Sequence, residues 1–245
     1  MPKSAIYFIS DAHLGHPASA TTEKKLIAFF KSIAPSAEKL FILGDLFDFW
    51  FEYREVIPNQ HFSVLQALKN LKDQDTEINY ITGNHDFWLG NFLTRQIGIK
   101  LIGDQTRLVL QHRKILLAHG DGLIRGDYGY RFLKKILRFP LNIHLYRLLH
   151  PDLGIPLAKW ASGFSRRHNQ ERSPALHQSF HKKLTEFAFA QLEKDHDEIA
   201  IFAHQHEPCY EERQGKVYIN LGDWIDHFTY ARIQAGEIRL EKFTG

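Results

Sequence analysis

Five short stretches of the 245-residue chain bring carboxylate, amide or imidazole side chains close together. They are Asp11 and His13, Asp45 and Asp48, Asn84 with His85 and Asp86, His119 with Asp121, and His204 with His206. All are hard or borderline oxygen and nitrogen donors of the kind that suit Mn, Fe or Zn. A mononuclear zinc site needs only three or four such ligands, so the surplus points to two ions. A pair of divalent ions about 3.5–4 Å apart, usually bridged by a carboxylate, activates a water and neutralises the charge developing on a transferring phosphoryl group. Asp45 is the natural bridge. Residues i and i+2 at a strand end can approach one centre when the chain bends, and Asp11/His13 and His204/His206 have that spacing. Each pair alone reads more simply as a solvated turn, and His119 alone as a satisfied loop histidine. The argument for chemistry is that all five groups follow directly on predicted strands, a pattern the ten remaining histidines lack.

Those strands are short β-branched and aromatic runs: AIYFIS before Asp11, KLFIL before Gly44-Asp45, INYIT before Gly83-Asn84, KILLA before His119 and EIAIFA before His204. Such runs read as buried strands. Between the first three lie helical patterns, carried by Leu26, Ile27, Phe29, Phe30 and Ile33 and then by Phe62, Leu65, Leu68 and Leu71. Strand–helix alternation predicts an α/β chain with a largely parallel sheet, whose C-terminal strand ends share the edge where ligand sites form. Late in the chain KVYINLG, FTYARIQ and EIRLEKF read as an antiparallel ending and a candidate second sheet. Residues 125–183 break the rhythm. Phe132, Leu133, Ile136 and Leu137 share one helical face, and after Pro140 so do Leu141, Leu145, Leu148 and Leu149. We read a helical cap inserted into one domain spanning residues 1–245.

The composition is that of an ordinary soluble globular protein: 44% hydrophobic, 24% charged, net charge +3. The lone Cys209 excludes an internal disulfide and a Cys-rich zinc module, and fits a reducing compartment. No stretch reaches the ~20 apolar residues of a membrane span, and the first apolar run is too short for a signal-peptide core, so the expected location is the cytoplasm or a membrane face. The small net charge divides unevenly. Residues 125–183 hold twelve Lys or Arg against Asp127, Asp152 and Glu171, a charge of +9, which leaves −6 for the rest. Basic residues among leucine-rich helices suit an anionic membrane surface and an acylated, phosphorylated ligand. Nucleic acid is disfavoured because no aromatic stacking platforms accompany them.

With D11-A-H13, G44-D45-L-F-D48, G83-N84-H85-D86, H119-G-D121 and H204-Q-H206 in that order, the sequence resembles the calcineurin-like metallophosphoesterases over nearly its whole length. The resemblance implies a four-layer αββα sandwich, α/β or in some schemes α+β, with an inserted cap. It implies one metal held by Asp11, His13, Asp45 and His206, and a second by Asp45, Asn84, His119 and His204, with Mn²⁺ foremost and Fe or Zn as alternatives. It also implies that Asn84 and His85 face the phosphoryl group, His85 as general acid or electrostatic stabiliser, with Asp86 orienting His85.

Within that family the chain is similar to the UDP-2,3-diacylglucosamine pyrophosphatases (hydrolases) of lipid A biosynthesis, which carry a basic helical insertion after the HGD motif. On that resemblance Asp127, Tyr130, Ser165, Asn169 and Arg172 join Asn84 and His85 as substrate contacts. The implied reaction is attack of metal-bound hydroxide on the α-phosphorus, releasing UMP and 2,3-diacylglucosamine 1-phosphate. The implied location is the inner face of the inner membrane, bound peripherally, and no protein partner is inferable. The chain departs from the pattern at His85, where better-known members have arginine, and at Phe49 and Ser162, also arginine positions. Arg166 or Arg167 are candidates to supply the missing cation. The alternatives are a metallophosphoesterase acting on another phosphomonoester or phosphodiester and, more distantly, a non-catalytic scaffold. Asp121 is expected to orient a ligating histidine and Asp223 to be a capping residue. Trp50, Phe51, Phe87 and Trp88 are expected to pack the rim, and Cys209 to be a bystander.

Overall fold

The structure is a computed structural model that describes residues 3–16, 19–124, 128–170 and 174–245. In chain order its elements begin with β1 (Ala5–Ile9), α1 (Ser19–Ile33), β2 (Ala37–Leu43), α2 (Phe62–Asp73), β3 (Glu77–Ile81), β4 (Lys100–Leu101), β5 (Gln105–Leu110) and β6 (Arg113–Ala118). Four helices follow: α3 (Tyr128–Leu137), α4 (Pro140–Arg147), α5 (Pro151–Gln170) and α6 (Pro174–Lys194). The chain closes with β7 (Ile199–Phe202), β8 (Cys209–Arg213), β9 (Lys216–Asn220), β10 (Thr229–Gln234) and β11 (Glu237–Lys242).

The strands form two sheets, ordered β11-β10-β1-β2-β3-β4 and β5-β6-β7-β9-β8. Alternation along each strand explains why they stack. Ala5, Tyr7 and Ile9 of β1 face α1 and α2 with Leu26, Phe29, Leu65 and Leu68. Ile6 and Phe8 point the other way, into an inter-sheet core with Ile115, Leu117, Ile199, Ile201 and Ile219. On the far face of the second sheet Ala200, Phe202 and Tyr218 pack under Leu184, Ala188 and Leu192 of α6. The layers therefore run helix, sheet, sheet, helix, and strands buried on both faces read as continuous apolar runs.

Three expectations change. The five site-bearing strands belong to two sheets: β1, β2 and β3 run parallel in the first, and β6 and β7 run parallel in the second. The three late runs are not one antiparallel unit. β9 lies parallel to β7 in the second sheet, whereas β10 and β11 form a hairpin that joins β1 antiparallel in the first. Phe62 is 69% exposed, and the buried face of α2 is Val64, Leu65, Ala67, Leu68 and Leu71 instead. Phe62 opens the helix, two positions before its apolar stripe begins at Val64.

The cap comprises α3, α4, α5 and the start of α6. No break occurs at residue 183, because α6 continues to Lys194 and its second half is the helix that covers the second sheet. Pro140 opens α4 after Phe139 in an extended conformation, which turns the chain sharply after α3. Aromatic rings fasten the cap to the body. Tyr146 meets Phe51 and Trp88 at ring-centroid distances of 4.7 and 4.8 Å, and the Trp88 Nε1–H donates to the Leu137 carbonyl at 2.9 Å. Each such pair adds about 0.5–1.5 kcal/mol beyond the area it buries.

Candidate metal centre

The side chains converge because the backbone reverses at the strand ends. Asp11, His13, Asp45, His204 and His206 all have positive φ, between 43° and 71°. Left-handed conformations cost a non-glycine residue on the order of 1–3 kcal/mol, and here each turns a strand exit so that its side chain faces the sheet edge. Backbone bonds lock the reversal. Ala12 and His13 donate their N–H groups to the Asp45 carbonyl at 2.9 and 3.0 Å, and Asp11 N–H donates to the Gly44 carbonyl at 3.1 Å. Glycine is required at two positions. A Cβ on Gly44 (φ 85°) would stand 2.7 Å from both Gly83 and His119 Nδ1, and one on Gly83 would collide with the Asp45 carboxylate.

Three overlapping clusters result: Asp11, His13 and His206; His13, Asp45 and His85; and Asp45, His119 and His204. The seven expected ligands meet in them and beside them. His206 Nε2 lies 3.5 Å from Asp11 Oδ1 and 3.3 Å from His13 Nε2. Asp45 Oδ2 lies 3.8 Å from His13 Nε2 and 3.4 Å from His119 Nε2, so one carboxylate belongs to both halves of the centre. Asn84 Oδ1 completes the second half, 3.2 Å from His119 Nε2. The fit to cations is good. Asp11 Oδ1 is buried without a hydrogen-bond partner among the described residues, and the nitrogens of His13 and His206 face each other and that oxygen. Leaving such groups unsatisfied is costly, and a cation between them would satisfy all three.

Charge and burial oppose one another at this edge. Burial alone would raise the Asp45 carboxyl, yet the His119 and His85 rings hold it well below the usual range. Burial likewise opposes ionisation of Asp11, whose carboxyl His206 and His13 lower. For His119 burial disfavours the charged ring, but Asp45 raises it to about 10. His85 and His204 go the other way, to about 4, because burial dominates and, for His204, the neighbouring His119 adds to it.

Several assigned roles move to different residues. Asp86 does not reach the His85 ring. Its carboxylate accepts from Gly83 N–H at 2.8 Å, from Phe47 N–H at 3.4 Å and from the Tyr80 hydroxyl, so it braces the loop that carries Asn84 and His85. Burial and the facing Asp45 push its carboxyl up to about 6. The residue that meets the His85 ring is Asp48, whose carbonyl lies 3.1 Å from His85 Nδ1; His85 N–H also donates to Asp45 Oδ1 at 2.9 Å. Asp121 does not orient His119, whose Nδ1 bonds the Leu43 carbonyl at 2.7 Å. Instead Asp121 accepts from Tyr130 and Lys134 of α3, both at 2.8 Å, and ties the cap to the body. Asp223, expected only to cap, has Oδ2 3.4 Å from His206 Nδ1.

Of the cap contacts, Tyr130 is engaged by Asp121. Asp127 and Arg172 lie outside the described residues, as do the side chains of Ser162, Ser165, Arg166, Arg167 and Asn169. Trp50 is fully buried, while Phe51 and Trp88 support α4. Burial, with Glu211 and Glu207, raises the Cys209 thiol, so nothing activates it. The sequence reading overlooked α3 as a cationic wall. Arg131, Lys134, Lys135 and Arg138 lie along a cavity of about 590 Å³ that also meets Gly120 and Leu123 of the HGD loop. Arg138 reaches the Gly83 carbonyl at 3.1 Å, next to the site loop. Their i, i+3, i+4, i+7 spacing was the available signal.

Residues 4–208 match the calcineurin-like phosphoesterase family. A UDP-2,3-diacylglucosamine hydrolase of Porphyromonas gingivalis is 33% identical over 245 residues, 94% of each chain. Its namesake in Aeromonas salmonicida is 31% identical over 242 residues, 97% of this chain and 92% of the relative. That of Neisseria meningitidis is 33% identical over 230 residues, 93% of this chain and 92% of the relative.

Proposed function

As the chain belongs to the calcineurin-like phosphoesterase family and is a hydrolase, we propose that it hydrolyses UDP-2,3-diacylglucosamine to UMP and 2,3-diacylglucosamine 1-phosphate. The observation that carries this reading is the set of three His/Asp clusters joined through Asp45 and His13, at a sheet edge to which a basic, leucine-rich cap is tied. The proposed ligands are Asp11, His13, Asp45 and His206 for one ion and Asp45, Asn84, His119 and His204 for the other, with Mn²⁺ in both. When bound, such ions supply Lewis acidity to the phosphoryl oxygens and lower the pKa of water.

The chain's own residues do the rest. A carbonyl only accepts, so the 3.1 Å contact to Asp48 places the proton of His85 on Nδ1 and leaves Nε2 as the atom that exchanges a proton with substrate. Burial keeps that ring neutral near pH 7, so Nε2 takes the proton that the attacking water gives up and, as an imidazolium, returns it to the oxygen of the departing group. Asp86 holds the loop rigid, and Asn84 presents its amide beside His119. The proposed substrate contacts in the cap are Asp127, Tyr130, Ser165, Asn169 and Arg172.

The outer face of the cap supports peripheral attachment to an anionic membrane at the cytoplasmic side of the inner membrane. Phe132, Leu145, Leu148, Leu153, Leu157 and Trp160 are all more than half exposed there, among an excess of basic residues. No helix among the described residues is long and apolar enough to cross a membrane. The test is incubation with UDP-2,3-diacylglucosamine and Mn²⁺ and measurement of UMP. Release that disappears in Asp45→Asn is the expected result. Turnover of an aryl phosphate without UMP release would refute the substrate, and no turnover of either would refute the catalytic reading.

A further inference from the structure

We propose that Asp223 is a positioning residue that sets which nitrogen of His206 carries the proton, and so keeps Nε2 available as a metal ligand. This rests on the two-metal reading above. His206 has its two nitrogens in different surroundings: Nε2 faces Asp11 Oδ1 and His13 Nε2 at 3.5 and 3.3 Å, while Nδ1 lies 3.4 Å from Asp223 Oδ2. A neutral imidazole has one N–H, and an ionised carboxylate only accepts. Asp11 Oδ1 is a rival acceptor at Nε2, so the assignment turns on Asp223: held by its loop, it draws the proton to Nδ1 and leaves the lone pair on Nε2.

The loop is built to hold that carboxylate. Asp223 is buried, and its Oδ1 accepts the N–H groups of Ile225, Asp226 and His227 at 3.0, 2.8 and 3.0 Å. The next residue, Trp224, donates its N–H to the Asp11 carbonyl at 3.0 Å, which fixes the loop to the turn that carries Asp11 and His13. Gly222 (φ 72°) closes the loop where a Cβ would stand 2.5 Å from Thr229 Oγ1. His206 needs such support more than its neighbours. His119 has the Leu43 carbonyl and His13 is 2% exposed, whereas the His206 side chain is 36% exposed and its ring would otherwise be free to turn. His227 Nδ1, 3.3 Å from the same Oδ2, is the competing donor.

Asp223→Asn separates the two tasks of the carboxylate. The amide oxygen still accepts the three backbone N–H groups, while the NH₂ turns toward His206, makes Nδ1 an acceptor and moves the proton to Nε2. Two measurements test this. In metal-free protein with ¹⁵N-labelled histidine, NMR should find wild-type His206 protonated at Nδ1 and the variant protonated at Nε2. In a Mn²⁺ titration followed by electron paramagnetic resonance, the variant should lose on the order of 10–100-fold in affinity for one ion and none for the other, with its melting temperature unchanged. His227→Ala should titrate like wild type. The proposal is overturned by a wild-type His206 protonated at Nε2, by Asp223→Asn binding both ions as wild type does, or by His227→Ala weakening binding equally. Wild-type protein that binds no Mn²⁺ would refute the two-metal reading, and the tautomer measurement would still decide the role of Asp223.

Discussion

Gly83→Ala is the smallest change that tests whether Asp45 must stand where the structure puts it. The added methyl would meet Asp45 three times, at its backbone nitrogen, its Cγ and its carboxylate oxygen, with the nitrogen at 2.6 Å and Cγ at 2.7 Å. Ordinary contact begins at 3.4 Å, so even the nitrogen demands an opening of about 0.8 Å. Neither side yields cheaply. Asp45 is held at φ 52° with its carbonyl bonded to Ala12 and His13, and Gly83 is held through its N–H to Asp86 and its carbonyl to Arg138. Overpacking of this kind costs about 1–3 kcal/mol, which for a chain of this size lowers the melting temperature by roughly 2–12 °C. A displacement near 1 Å at a reacting centre costs about 10²-fold in rate. Turnover of an aryl phosphate at saturating Mn²⁺, alongside thermal melting, reads both. Gly103→Ala is the control, because the nearest atom to its Cβ is 3.7 Å away. A Gly83→Ala protein that stays folded and keeps activity within about threefold of wild type would refute the claim that Asp45 is fixed by its neighbours.

Removal of metal by chelation should lower the melting temperature, since each ion at about 100 times its Kd contributes about 2.7 kcal/mol, and differential scanning calorimetry with and without EDTA checks it. Lys134→Ala should leave the buried Asp121 carboxylate with one donor fewer and speed hydrogen exchange in α3, with UMP release falling further than aryl phosphate turnover. Changing Leu148, Leu153 and Trp160 together to serine should abolish sedimentation with anionic vesicles and leave the melting temperature within about 2 °C, because all three are exposed in the folded chain.

The strands and the donor side chains that converge at their ends were legible for the same reason. β1, β2, β3, β6 and β7 are buried on both faces and end abruptly, so apolar runs give way to donors without a polar transition. Which sheet a strand joins was not legible. KVYINLG and FTYARIQ have the same pattern, and only pairing with β7 or with β1, far off in the chain, separates them. The roles expected of Asp86 and of Asp121 fail for one reason. Nearness in sequence suggested that Asp86 serves His85 and Asp121 serves His119, but in each loop the two side chains diverge. Asp86 turns back to Gly83 N–H and Asp121 turns out to α3, and residues from other turns face the two rings. His85 is met by Asp48 and His206 by Asp223, neither of which neighbours its histidine in the sequence.

The five left-handed residues at this edge bear on how the centre forms. Asp11, His13, Asp45, His204 and His206 are strained on order of 1–3 kcal/mol apiece, and the buried Asp11, Asp45 and Asp86 also repel one another. A chain that relied on metal to fold would relax such strain until the ion arrived, as small zinc modules do. Here the two sheets prevent it. The turns that hold Asp11 and His13 are bonded to Gly44, Asp45 and Trp224, and Ala203, one residue before His204, bonds the His119 carbonyl at 2.9 Å. The reversals at Asp11, His13, Asp45 and His204 are thus fixed by strands of the same double-faced core that makes the fold stable, and these donor groups converge without an ion. Repulsion among the carboxylates is what a divalent cation would relieve, which gives the site affinity without demanding any rearrangement of the backbone.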